Sequence, residues 1–191
     1  MLSIQGAVSE HIQMFTRALQ KTQRKGTVSA IKEPKDIDMV DALVLPGGES
    51  TTITRVLMQT GSYTRIRKRI EHDDLAILGT CAGCILLAKE LTQTDEEVTT
   101  LQAMDMQVER NAFGRQKESF EHPISFQGFS TPFPAVFIRA PIIKKVWGDC
   151  TPVAYLQKNI IAAKQGHYLA LSFHPELTSD LRVHTYFLEM I

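Results

Sequence analysis

The fold is indicated by the stretch Leu75-Ala-Ile-Leu-Gly79-Thr80-Cys81-Ala82-Gly83, followed by Cys84-Ile-Leu-Leu-Ala-Lys-Glu90. Its apolar start predicts a buried strand and the Ile/Leu/Ala segment after Gly83 predicts a helix, so Cys81 stands at a strand-to-helix junction. G-x-C-x-G at such a junction has the form of a nucleophile elbow, a tight turn that lifts a reactive side chain above the sheet. The helix N-terminus also favours the thiolate. Alternatively, Cys81 is a small buried hydrophobe, as most free cysteines are, and this stretch alone leaves both readings open.

Strands and helices alternate around this stretch, which predicts an α/β fold with a mainly parallel, open sheet covered by helices on both faces. Short β-rich pieces between residues 102 and 157 predict an antiparallel extension of that sheet. The predicted elements are a helix over Ser9–Arg24 capped by Ser9, strands at Thr27–Ile31 and Ala42–Leu45, extension strands at Met106–Glu109, Ile124–Phe126, Ala135–Ile138 and Val153–Leu156, strands at Ile160–Ala163 and Tyr168–Phe173, and a closing helix within Asp180–Ile191.

Length and composition limit the classes of protein to which the chain can belong. A chain of 191 residues predicts one domain, 1–191, because domains usually have about 100–200 residues. The 21 Lys and Arg balance the 21 Asp and Glu, which argues against a nucleic-acid or membrane partner. Three cysteines make no disulfide framework, and no apolar run approaches a membrane span or a secretory signal. The sequence therefore predicts a cytoplasmic protein.

Two further motifs follow predicted strands. Pro46-Gly47-Gly48-Glu49-Ser50 follows Ala42–Leu45, where glycines let backbone N–H groups point into the crevice at the carboxyl end of a parallel sheet. An ordinary turn with Ser50 as helix cap explains that segment equally well. His174-Pro175-Glu176 follows the last strand, and because the residue before proline is extended, we expect His174 and Glu176 to face the same way. Together, a thiol, an imidazole and a carboxylate can act as a nucleophile, its base and the group that orients that base.

With these motifs the chain resembles the class I glutamine amidotransferases, and within them the glutaminase subunit of pyridoxal 5′-phosphate synthase. The resemblance covers essentially the whole chain, and the segments that distinguish this family are Arg110–Gln116 and Phe137–Pro141. It is carried by Ile4–Val8, Pro46–Thr52, Gly79–Gly83, Val108–Glu121, Phe137–Pro141, Ala162–Gly166 and Ser172–Thr178. Two departures are the short Met1–Ile4 opening and Cys84, where the family usually has a larger aliphatic residue.

The resemblance implies a three-layer, flavodoxin-like fold and a glutaminase that releases glutamate and ammonia from L-glutamine. It makes Cys81 the nucleophile, His174 its base and Glu176 the group that orients His174, with the backbone N–H groups of Gly48 and Ala82 as oxyanion hole. Gly47, Gly48, Glu49, Arg110, Ile138 and Arg139 match positions that bind glutamine. The resemblance implies neither a cofactor nor a metal. The implied partner is a separate synthase subunit, in a hetero-oligomer, that receives the ammonia, and Gln5-Gly6 matches a loop that responds to it.

Three alternatives stay open. Cys81-x-x-Cys84 is compatible with a thiol–disulfide redox site, although that reading leaves the Gly-Gly turn and His-Pro-Glu unexplained. A zinc site would need a second ligand pair, whereas Cys150, His122 and His167 are scattered. The third alternative keeps the fold but makes the chain a γ-glutamyl or peptide hydrolase, or a catalytically silent binding subunit.

Overall fold

Residues 1–93, 98–110, 112 and 119–191 are described by a computed structural model of the chain. The α-helices in these ranges are α1 (Val8–Thr22), α2 (Ser50–Thr60), α3 (Ser62–Glu71), α4 (Ala82–Leu87) and α5 (Arg182–Leu188). The strands are β1 (Ala42–Leu45), β2 (Ala76–Thr80), β3 (Ala88–Leu91), β4 (Met104–Glu109), β5 (Ser119–Ile124), β6 (Phe133–Ile138), β7 (Ile142–Val146), β8 (Thr151–Leu156), β9 (Asn159–Gln165) and β10 (Tyr168–Leu171). Pro34–Met39 and Pro175–Leu177 are 3-10 helices.

The main sheet of the described chain has the strand order β1-β2-β10-β9-β7-β4-β3, with β8 paired to β9. Strand β2 lies between β1 and β10 and is parallel to both. Parallel neighbours end at the same edge of a sheet, so the segments that follow these three strands meet there. Those segments carry the Gly-Gly turn, Cys81 and His174.

Helices cover both faces of this sheet, as expected for an α/β fold. Alternate residues of β1 face opposite ways: Leu43 and Leu45 belong to one apolar cluster, and Val44 to the other. The first cluster includes Ile53 and Leu57 of α2, Ile66 of α3 and Leu86 of α4. The second includes Phe15 and Ala18 of α1 and Val183 and Phe187 of α5. The α/β architecture predicted from the sequence is therefore confirmed.

The antiparallel extension is also present. Strand β9 pairs antiparallel with β10, β7 and β8, and β7 pairs antiparallel with β4. Strands β5 and β6 form a separate antiparallel hairpin. The strands predicted at Met106–Glu109, Ala135–Ile138 and Val153–Leu156 occur within the longer strands β4, β6 and β8. The strand predicted over Ile124–Phe126 was wrong: β5 ends at Ile124, and Phe126 forms an isolated bridge with Ala154 of β8. Residues 111 and 113–118, part of the motif over Val108–Glu121, lie outside the described residues.

Several local predictions were wrong. Ser9 does not cap α1: the helix begins at Val8 after Ala7, and the Ser9 hydroxyl donates to Glu10. Ser50 is the first residue of α2 rather than its cap. The strand predicted over Thr27–Ile31 is reduced to one bridge between Leu2 and Ile31. A further backbone contact of this segment with the start of the chain is a hydrogen bond from the Met1 amino group to the carbonyl oxygen of Ser29.

No helix in the described ranges is both long enough and apolar enough to cross a membrane.

Candidate active site

Cys81 occupies a strained turn between β2 and α4. Its φ of 51° and ψ of −104° lie in a region that side chains other than glycine rarely adopt, as in a nucleophile elbow. The Cys81 N–H donates to the carbonyl oxygen of Leu171 in β10 at 2.8 Å, which fixes the turn to the neighbouring strand. Strain of this kind persists only when the surrounding structure holds it in place.

The two glycines of the G-x-C-x-G pattern allow the backbones around Cys81 to touch. A methyl group on Gly83 would lie 2.0 Å from the carbonyl oxygen of Leu45 in β1. One on Gly79 would lie 2.5 Å from the backbone of Gly83. Side chains at these positions are therefore sterically excluded, and helix α4 starts directly against β1.

His174 and Glu176 form a buried imidazole–carboxylate pair. His174 Nδ1 donates to Glu176 Oε1 at 2.7 Å, and the Glu176 side chain has no exposed surface. The His174 N–H also donates to the carbonyl oxygen of Val136 in β6 at 2.8 Å. The extended segment predicted here is instead a 3-10 turn that begins at Pro175, while His174 itself stays non-helical before the proline. The two side chains nevertheless meet as predicted.

The Cys81 thiol and His174 are adjacent but not hydrogen-bonded. The thiol donates to the carbonyl oxygen of Ile138 at 3.7 Å, and His174 Nε2 is buried without a hydrogen-bond partner among the described residues. Burial works against protonation of His174, but the nearby Cys81 and Glu176 outweigh it and raise the pKa of His174 to about 10. The protonated form of His174 is therefore favoured. Catalytic hydrogen bonds often form only once substrate binds.

The Gly47-Gly48 turn packs against this pair. A methyl group on Gly47 would lie 2.6 Å from Cε1 of His174 and 3.4 Å from Cβ of Cys81. On the other side of the turn, the Glu49 N–H donates to Gln5 Oε1 at 2.8 Å. Gly6 is so close to the Gly47 carbonyl oxygen that a methyl group there would lie 1.9 Å from it. The segment Gln5-Gly6 thus supports the turn that borders the thiol.

Most residues singled out in the sequence converge here. The structure brings together Cys81, Ala82, His174, Glu176, Gly47, Gly48, Glu49 and Ile138. Arg139 follows Ile138 directly, has an exposed side chain and a φ of 43°. Arg110 is half-buried at the end of β4, which β10, β9 and β7 separate from β2 in the order of the sheet. A role for Arg110 in binding glutamine stays a prediction.

Cys84 does not belong to this site. It lies in α4 with no exposed surface, inside the apolar cluster between the sheet and α2. Burial raises the pKa of the Cys84 thiol far above its ordinary value. Because thiol–disulfide exchange requires an accessible thiolate, this environment does not favour a redox role.

Sequence reasoning missed the residue behind Glu176. His11 of α1 is fully buried, and its Nε2 lies 3.3 Å from Glu176 Oε2 and 3.3 Å from Thr80 Oγ1. The spacing of His11 with Phe15 and Ala18 places it on the apolar face of α1. A histidine on an apolar helix face was the feature of the sequence that could have indicated a buried polar contact.

A strained cysteine, a histidine and a carboxylate at the carboxyl ends of parallel strands define a cysteine-dependent hydrolase or acyl transferase of the α/β class. The chain matches the SNO glutamine amidotransferase family over residues 1–191 and belongs to that family. It is 44% identical over 191 residues to "Pyridoxal 5′-phosphate synthase subunit PdxT" of Pyrococcus furiosus, covering 100% of this chain and 96% of the relative. The protein of the same name from Actinobacillus pleuropneumoniae serotype 3 is 46% identical over 190 residues, with 100% of this chain and 93% of the relative covered.

Solved structures agree with the fold. A crystal structure of a glutamine amidotransferase superposes with a TM-score of 0.88 at 41% identity, over 99% of this chain and 96% of that one. A glutamine amidotransferase from Thermotoga maritima gives a TM-score of 0.62 at 15% identity, over 94% and 77% of the two chains, and supports the fold alone.

Proposed function

We propose that the chain, as a single domain of residues 1–191, is the glutaminase subunit of pyridoxal 5′-phosphate synthase. As a member of the amidotransferase family, it hydrolyses L-glutamine to glutamate and ammonia. The assignment of roles to individual residues is our proposal. The observation that carries it is the buried His174–Glu176 pair, joined at 2.7 Å, with the Gly47 turn in contact with both His174 and Cys81.

The reaction begins with the Cys81 sulfur. As a thiolate it attacks the side-chain amide carbon of glutamine, and the C=O bond opens to a tetrahedral oxyanion. His174, protonated at neutral pH, gives its proton to the departing nitrogen, so that ammonia leaves and a glutamyl thioester remains. His174 then takes a proton from water, the resulting hydroxide displaces the sulfur, and glutamate leaves. Glu176 keeps Nδ1 of His174 protonated so that Nε2 is the atom that exchanges protons.

We assign the oxyanion hole to the backbone N–H groups of Gly48 and Ala82. Ala82 is the first residue of α4, where an N–H has no partner within the helix. Gly48 is in the turn that borders Cys81, with a φ of 148° that favours glycine. Loss of one such donor typically lowers the rate by roughly 10²–10³-fold, so the geometry of this turn matters nearly as much as the triad.

Glutamine recognition is assigned to the surroundings of the same turn. Backbone groups of Gly47, Gly48, Glu49 and Ile138 suit the α-ammonium and amide of the substrate, and a guanidinium from Arg110 or Arg139 suits its α-carboxylate. A free α-carboxylate distinguishes glutamine from a peptide in which that carboxyl group is joined to a further residue.

The partner follows from the relatives, which are named as subunits of pyridoxal 5′-phosphate synthase. We propose that this chain forms a hetero-oligomer with the synthase subunit and passes ammonia to it directly. Ammonia released into water would be protonated and lost as a nucleophile. We also propose a cytoplasmic location, because Cys81, Cys84 and Cys150 are free thiols and a working Cys81 requires a reducing compartment.

Glutamate release, measured with and without the synthase subunit, tests this proposal. Wild type is expected to release glutamate in the presence of the synthase, whereas Cys81→Ala with the synthase falls to the background rate. Cys84→Ser serves as the matched control, since it alters the neighbouring thiol and leaves Cys81 in place. Activity that is lost with Cys84 but survives a His174→Ala change would refute the assigned triad, and intact protein without release in either condition would indicate a binding subunit.

A further inference from the structure

The second oxygen of the Glu176 carboxylate faces a histidine from α1. Oε1 accepts the hydrogen bond from His174, while Oε2 is buried, has no well-formed hydrogen bond among the described residues, and lies 3.3 Å from His11 Nε2. Both side chains have no exposed surface. A buried carboxylate oxygen without a donor costs free energy, so the identity of residue 11 matters to the site.

His11 is suited to donate from Nε2. The N–H at Nε2 can be shared between Glu176 Oε2 and Thr80 Oγ1, both at 3.3 Å. The opposite tautomer would direct a lone pair at the carboxylate, which is repulsive. Burial lowers the pKa of His11 despite the opposing effect of Glu176, with His174 and the Met1 amino group adding to the decrease. A neutral His11 leaves the positive charge of the cluster on His174.

Packing alone does not explain a histidine at this position. His11 is the polar member of the four buried residues of α1, the others being Met14, Phe15 and Ala18. An apolar side chain would fill the space without the cost of burying an imidazole whose Nδ1 has no partner among the described residues. The contact with Glu176 and Thr80 is the compensating interaction.

We propose that His11 is a positioning residue of the glutaminase site, which holds the Glu176 carboxylate so that Oε1 faces His174 Nδ1. This inference rests on the proposed function and extends it by one residue, from the triad to a relay of His174, Glu176 and His11. Thr80, which directly precedes Cys81, ties the same histidine to the strand that carries the nucleophile.

The test compares His11→Leu, His11→Gln and His11→Asn in the complete complex with the synthase. Leucine removes the donor, and we expect kcat to fall about ten- to hundredfold with little change in KM for glutamine, because the imidazole loses its orientation. The glutamine amide reaches the place of Nε2, so His11→Gln is expected to recover most of kcat. The shorter asparagine reaches only the place of Nδ1, and it is expected to behave like leucine.

The pH profile of kcat/KM separates positioning from stability. In His11→Leu the Glu176 carboxylate loses its contact with residue 11 and is held less firmly against His174. Because Glu176 raises the pKa of His174, we expect the inflection that His174 gives in this profile to move to lower pH. His184→Leu is the matched control: His184 is equally buried and its ring centre lies 5.9 Å from that of His11, but it packs edge-on against Phe15. We expect His184→Leu to change the melting temperature and to leave the kinetic profile in place.

Wild type without glutaminase activity would refute the proposed function rather than this inference. With active wild type, the inference is overturned if His11→Leu keeps kcat and the pH profile, or if His184→Leu lowers kcat as much as His11→Leu does. Where His11→Leu does not fold, the comparison of His11→Gln with His11→Asn decides, and equal kcat values for these two would overturn it.

Discussion

Replacing Gly47 by alanine is expected to disable the thiol–imidazole pair while the fold persists. The added methyl would lie 2.6 Å from Cε1 of His174 and 3.4 Å from Cβ of Cys81. Both are parts of the site rather than of the core beneath it. Gly47 is not among the residues with positive φ, so alanine meets no backbone strain there.

The expected size of the effect follows from these distances. Carbon atoms in contact are about 3.5–4.0 Å apart, so the imidazole must retreat by about 1 Å. A misplacement of about 1 Å can cost roughly 10²-fold in rate, because Cys81 and His174, the proposed nucleophile and proton carrier, leave their productive geometry. We therefore expect kcat to fall about a hundredfold, with a change in melting temperature of a few degrees at most.

Two assays distinguish this effect from poorer glutamine binding. Glutaminase kinetics with the synthase give kcat and KM separately, and alkylation of Cys81 by iodoacetamide reports on the thiol without requiring glutamine. Gly26→Ala is the matched control, since among the described residues its methyl would meet only Leu19, at 3.5 and 3.6 Å, which is an ordinary contact. A Gly47→Ala enzyme with kcat within threefold of wild type would refute the steric argument.

Two further predictions concern stability. Gly83→Ala is expected to lower the free energy of unfolding by about 3 kcal/mol or more in urea titrations, because its methyl would lie 2.0 Å from the Leu45 carbonyl oxygen; a loss under about 1 kcal/mol would contradict this close packing. Burial, with a smaller effect of His11, lowers the pKa of His184 from 6.5 to about 3. Between these two values the unfolded chain binds a proton at His184 that the folded chain does not bind. The free energy of unfolding should therefore fall as the pH drops from 6.5 towards 3, by up to about 1.4 kcal/mol per pH unit. Comparison with His184→Leu isolates this contribution, and equal slopes for the two proteins would contradict it.

The part of the site that could be predicted from sequence is the part encoded locally. Gly79-x-Cys81-x-Gly83 specifies its own turn, because backbone contacts exclude side chains at both glycines. The strands before Gly47, Cys81 and His174 are apolar runs, and the rule that parallel strands end at one edge brings the three motifs together. Local spacing also sufficed for His174 and Glu176, even though the turn between them is 3-10 rather than extended.

Contacts between distant segments could not be predicted in this way. His11 and Glu176 are on different elements, and nothing in the helical periodicity of α1 specifies what its buried histidine faces. The support of Glu49 by the side chain of Gln5 crosses 44 residues, and it depends on how the start of the chain packs against the Gly-Gly turn. Such contacts are determined by the assembled sheet, which the pattern of single segments does not describe.

The buried histidines His11, His174 and His184 differ in protonation, and the folded structure rather than the residue type determines that difference. His11 and His184 are buried, and their pKa values are lowered, so both are neutral at pH 7. His174 is also buried, but it has Glu176 on one edge and the Cys81 thiol beside it, and its pKa is raised to about 10. One buried carboxylate can compensate the positive charge of one imidazolium. Glu176 lies 2.7 Å from His174 Nδ1 but 3.3 Å from His11 Nε2, so the positive charge is assigned to His174. The proton is therefore held on the histidine next to Cys81, where the proposed mechanism transfers it to the departing nitrogen.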